Sequence, residues 1–166
     1  MNKARFHYIL IGFCVIFFSC GGSLTPEQRE KARKAIEEGQ IKRITPIELT
    51  EAAMVIGKKI AAQVRNTDPF LNDNNFIDSL SKSNQVVIYA LKPGMTGLSS
   101  IESSIADAYQ VEGDIAGAAD NVQKLEGDSL LYTSPVGNER PDGSRPFSHA
   151  IAIKMAVKSV VLSIKN

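Results

Sequence analysis

Tryptophan is missing from this chain of 166 residues, and cysteine and histidine occur only twice each. Both cysteines, Cys14 and Cys20, fall within the first twenty residues. Beyond them there is no thiol to form a disulfide, to act as a nucleophile or to complete a Cys-x-x-Cys-His haem attachment. Past His7 the one imidazole is His149, whereas a structural zinc site takes about four nitrogen or sulfur ligands and a catalytic one about three. Net charge is also scarce. With 19 Lys and Arg against 18 Asp and Glu, the chain offers no field able to hold a polyphosphate backbone, which excludes nucleic acid as a partner. No G-x-G-x-x-G, P-loop or G-x-S-x-G pattern is present to place a nucleotide or a serine nucleophile. What remains suits a protein that holds a ligand without transforming it, with no catalytic residue, cofactor or metal assigned. At 43% hydrophobic and 22% charged, the chain has enough apolar surface for one folded domain.

Long apolar runs are absent too. The longest, Tyr8 to Phe18, has eleven residues, about 16 Å as a helix and about half of a bilayer's hydrocarbon core. It follows Lys3 and Arg5 with no acidic residue before it, which is the plan of an export leader. The run ends in Phe17-Phe18-Ser19-Cys20-Gly21-Gly22-Ser23. This resembles a bacterial lipobox of the relaxed, Bacteroidota type, with Phe17 where Leu is commonest and Phe18 where a small residue is commonest. The resemblance implies cleavage after residue 19, lipidation of Cys20 and a palmitate-type anchor. Two or more acyl chains hold a protein stably on a membrane where one does not. The absence of Asp after Cys20 points to the outer membrane, facing the periplasm. The competing readings are an ordinary cleaved leader with an incidental cysteine and an uncleaved hydrophobic tail. Loss of residues 1–19 leaves 17 basic against 18 acidic side chains.

Two cap signals follow, Thr25-Pro26-Glu27-Gln28 and Thr45-Pro46-Ile47-Glu48, each with a Thr cap, a Pro at the first helical position and Gln or Glu at the third. The first opens a polar helix over about 26–39, and residues 20–44 read as tether and solvated helix. The second opens a helix over about 46–65 with Leu49, Ala53, Ile56, Ile60 and Val64 on one stripe. A short helix is expected over about 74–81, then a strand over 85–91 that is apolar on both faces and therefore expected to be central. Ser99-x-x-Glu102 caps a helix over about 100–111. Residues 112–126 suggest a further helical turn. Ser129 to Val136 reads as a strand, 137–146 as a ten-residue loop, and Phe147 to about Lys154 as a strand with Phe147, His149, Ile151, Ile153 and Met155 on one face. Val157, Val160, Val161 and Ile164 then repeat at helical spacing. Residues 45–166 thus form an α+β domain, an antiparallel sheet of three or more strands with helices expected on one face.

Val87-Ile88-Tyr89-Ala90-Leu91-Lys92-Pro93, the Glu102-bearing helix start and Leu131-Tyr132-Thr133-Ser134-Pro135-Val136 together resemble the PAS-like periplasmic family of c-type haem domains over residues 46–164. In that family a Tyr-x-x-Pro strand leads into Cys-x-x-Cys-His. Here residues 137–146 follow instead, without Cys or His. The resemblance therefore implies a PAS-like shape, with a concave cup suited to a small ligand, and no covalent haem.

Three side chains stand out as ligand-binding candidates. Lys92, beside Pro93-Gly94, could receive an anionic group. Tyr132 offers a ring and a hydroxyl, and His149 a switchable charge or a ligand for haem bound without a covalent link. For each, a purely structural role is the alternative: a solvated lysine, a core tyrosine, a hydrogen-bonded histidine. The expected protein is a lipid-anchored binding or sensory accessory module of the bacterial envelope. Its partners are membrane lipid through Cys20 and a small molecule or another envelope protein. A non-covalent haem or redox accessory is the second reading, and a periplasmic hydrolase using carboxylates the third.

Overall fold

A computed structural model describes residues 25–39 and 44–165. Contacts divide the chain into two units, Met1–Arg43 and Ile44–Asn166. In the first, α1 (Pro26–Gly39) starts with reciprocal bonds between Thr25 and Gln28, at 3.0 and 3.3 Å, and carries the exposed pair Glu30–Lys34 at 3.3 Å. Such an exposed pair adds only a few tenths of a kcal/mol. Cys20 lies outside the described residues, as does most of the expected tether.

In the second unit the element order is α2 (Pro46–Thr67), α3 (Asn74–Asn84), β1 (Val86–Leu91), α4 (Ser100–Glu112), β2 (Asn121–Lys124), β3 (Ser129–Gly137), β4 (Phe147–Ala156) and α5 (Val157–Lys165). Thr45 caps α2 as expected: its hydroxyl accepts from Glu48 N at 3.2 Å, while Glu48 Oε2 accepts from Thr45 N at 2.9 Å. This arrangement satisfies two of the N–H groups that a helix start leaves open. α2 runs two residues past the expected end because Asp68 N still reaches Val64 O, at 2.8 Å. Asp73 caps α3, accepting from Phe76 N at 3.1 Å.

The sheet has four antiparallel strands in the order β1-β4-β3-β2. Its two faces carry two different cores, as period-two alternation dictates. Ile88, Leu130, Tyr132, Ile151, Ile153 and Met155 meet α2, α3 and α5 through Ala53, Ile60, Val64, Ile77 and Val160. Leu91, Leu131, Ala150 and Ala152 meet α4 on the other side, through Ala106 and Tyr109. Helices therefore cover both faces, which corrects the expectation of a one-sided layer. The small Ala150 and Ala152 leave room for α4 to lie close.

Three further expectations are corrected. β1 is an edge strand: helices on either side give it two apolar faces, while Val87 remains 58% exposed. Residues 121–124 form a strand instead of a helical turn, because pairing with Leu130–Thr133 supplies hydrogen bonds that local propensity could not foretell. Phe147 does not share a face with His149. A register shift between Val136 and Gly137 inserts an extra residue, as a β-bulge does, and Phe147 joins Tyr109 on the α4 side with ring centroids 5.5 Å apart.

Candidate functional site

α4 is placed by its own start. Ser99 Oγ accepts from Glu102 N at 3.3 Å, Glu102 Oε2 accepts from Ser99 N at 2.7 Å, and Tyr89 of β1 donates its hydroxyl to Glu102 Oε1. Burial pushes the Glu102 carboxyl upward, but the bonds from Ser99 and Tyr89 and the charge of Lys154 outweigh it. The group is held below the usual carboxylate range. This ties the helix to the sheet at its N-terminal end.

From there Ile101, Ser104, Ile105, Ala108 and Glu112 follow one another at helical spacing along one wall of a cleft of about 640 Å³. Gly117 to Asn121 and Gln123, the segment entering β2, form the facing wall, with Tyr109 between them. Concave sites of this size suit small molecules. The lining includes the carboxylates Glu112 and Asp120 and no basic side chain. The segment before this wall is held through Asp114, whose Oδ1 accepts from Ala116 N at 3.0 Å and Arg145 N at 2.9 Å. Ile115 N donates back to Arg145 O at 2.9 Å. The loop 138–146 thus buttresses the cleft.

Asp120 holds the wall to the sheet. Its Oδ2 accepts the Tyr132 hydroxyl at 2.7 Å, and its Oδ1 accepts the Ser134 hydroxyl and, at 3.4 Å, Nη2 of Arg65 from α2. Arg65 also donates to Ser134 Oγ. Burial pushes the Asp120 carboxyl up, yet the bonds from Ser134 and Tyr132 and the charge of Arg65 bring it below its ordinary range. A carboxylate at a site with three donors stays ionised.

The three candidate side chains take separate places, and none of them lines this cleft. Tyr132 is buried at the sheet centre, its hydroxyl committed to Asp120, and burial together with that bond and charge raises its pKa. His149 is 2% exposed. Its Nε2 lies 3.0 Å from Pro69 O and its Nδ1 3.2 Å from Ser148 Oγ. A carbonyl only accepts, so Nε2 carries the proton and Nδ1 receives the serine hydroxyl. Neither nitrogen is free to ligate a metal, and burial followed by the charge of Lys92 lowers the imidazole pKa against the opposing Pro69 bond. Lys92 is exposed just past the end of β1, and its backbone N–H meets Met95 Sδ at 3.2 Å. Among the described residues, no group of three or more His, Cys, Asp or Glu gathers to hold a metal. Sequence reasoning missed Asp120 and Arg65. The one available signal was a lone acid inside the small-residue run Ala116–Asn121.

No family model, curated protein or solved structure matches the chain.

Proposed function

We propose that the chain is a lipid-anchored binding module of the bacterial cell envelope, whose folded body holds a small molecule in the cleft between α4 and the segment 117–123. The observation that supports it is the construction of that cleft. Capping and the Tyr89–Glu102 bond fix one wall, the Asp120 network fixes the other, and the space between is open and lined by both apolar and polar groups. Rigid walls around a preformed space keep the ordering cost of binding low. The anchor rests on the pattern around Cys20, and among the described residues no helix is long and apolar enough to cross a membrane. His149, the single imidazole past residue 7, is spent on the Pro69 carbonyl, which favours binding over acid–base chemistry.

Native mass spectrometry of the lipidated protein taken from its own membrane tests both parts. The expected spectrum shows a chain starting at Cys20, acyl groups, and a non-covalent small molecule that disappears in Ala108→Trp, where the indole fills the cleft from an exposed helix position. An unacylated chain overturns the anchor. A ligand retained by Ala108→Trp overturns the site.

A further inference from the structure

The cleft is uneven in charge along α4. Glu112 stands in the last helical turn, where the helix macrodipole is negative and a carboxylate is unfavourable. No basic residue occupies that turn, and among the described residues no cation pairs with Glu112. Asp120 lines the same cleft from the segment entering β2, with a side chain 16% exposed. A carboxylate has about four acceptor positions. Ser134 and Arg65 occupy two on Oδ1 and Tyr132 one on Oδ2, leaving one open. Both carboxylates line the same cleft as Tyr109. Arg65 offsets part of the Asp120 charge from behind and does not line the cleft. Toward the helix start the lining combines Ile101 and Ile105 with the neutral polar groups of Ser100, Ser104 and Gln123.

Resting on the cleft being a ligand site, we propose that its ligand carries a primary ammonium group, received between Glu112 and Asp120, with an apolar body lying along Ile105 and Ile101. An ammonium supplies three donors and a positive charge. It would complete the acceptor set of Asp120, neutralise Glu112 and complement the C-terminal end of α4. An anion at this end would meet two carboxylates and the dipole, and a neutral analogue would gain no charge-assisted bond.

Three probes with one body separate the alternatives: leucinamide, N-acetyl-leucinamide and N-succinyl-leucinamide, cationic, neutral and anionic at pH 7. Each is titrated into the full chain in detergent while amide resonances of residues 100–123 are followed by NMR. Leucinamide is expected to shift these amides with at least about tenfold higher affinity than the acetyl form, the scale of one charge-assisted bond. Glu112→Gln, an exposed change that leaves the core intact, is expected to lower leucinamide affinity by about tenfold and leave the acetyl form unchanged. Equal binding of all three probes, or preference for the succinyl form, overturns the ammonium assignment while the cleft stands as a site. No shift in the cleft with any probe overturns both.

Discussion

The ring of Tyr132 occupies the notch that Gly57 leaves in α2, so that a methyl group at residue 57 would lie 2.3 Å from two ring carbons. Real contacts of that kind do not form, and Tyr132 is fully buried with its hydroxyl committed elsewhere. In an exposed helix, replacing Gly by Ala stabilises by about 1 kcal/mol. Here Gly57→Ala is expected to do the opposite, costing about 1–3 kcal/mol through overpacking. Urea unfolding of the two proteins measures the sign directly, and a stabilised variant would show that helix and ring part easily.

The Asp120 network is expected to behave as a unit. Tyr132→Phe removes one donor and should cost about 1 kcal/mol. Asp120→Asn should cost more, since it leaves Arg65 without its counter-charge. Because the two side chains share a bond, the double variant should lose less than the sum, with a coupling of at least about 0.5 kcal/mol in a double-mutant cycle. Strict additivity would mean that the bond contributes nothing to stability.

Acid should weaken the fold in two windows. The imidazole of His149 is held neutral, with its pKa below the ordinary value because of burial and the Lys92 charge. The unfolded chain therefore takes up this proton first as pH falls, and stability declines once pH drops below about 6.5. Asp120 and Glu102 are held below their usual range by bonds and neighbouring charges that outweigh burial. Their contribution is present above about pH 4 and is lost as pH falls through their folded values. Denaturation midpoints between pH 8 and pH 3 check this, with His149→Gln expected to flatten the upper window alone. Nitrogen-15 NMR of the ring should find the proton on Nε2.

Glu102→Ala should remove the carboxylate half of the α4 capping box and strand the Tyr89 hydroxyl together. Each of the two lost hydrogen bonds, one of them from a half-buried hydroxyl, is worth about 1 kcal/mol. Hydrogen exchange should then quicken at the Ser99 amide, which the Glu102 carboxylate now holds. Unchanged protection there would mean that the carboxylate bond is dispensable.

Much of this architecture was legible where the information is local. Thr45 and Glu48, or Ser99 and Glu102, lie three residues apart, and each pair marks a helix start without help from the rest of the chain. The alternation of Ile151, Ala152, Ile153 and Lys154 similarly marks a strand. What escaped depends on pairs far apart in sequence. β2 is four residues of weak pattern made into a strand by β3. Arg65 meets Asp120 across 55 positions and His149 meets Pro69 across 80. The side of the sheet that α4 takes follows from the volumes of Ala150 and Ala152, a three-dimensional fit rather than a periodicity. The cleft inherits all of these, since one wall is a helix foretold by its cap and the other is a segment with no local signature.

The unlike depths of the two cores also guard strand alignment. Were β4 to slip by one position against β3, Ile151, Ile153 and Met155 would crowd beneath α4, and the alanines would leave voids under α2. Sliding in either direction meets the same mismatch, so size alone proofreads the pairing and leaves a single alignment in which both helical layers close.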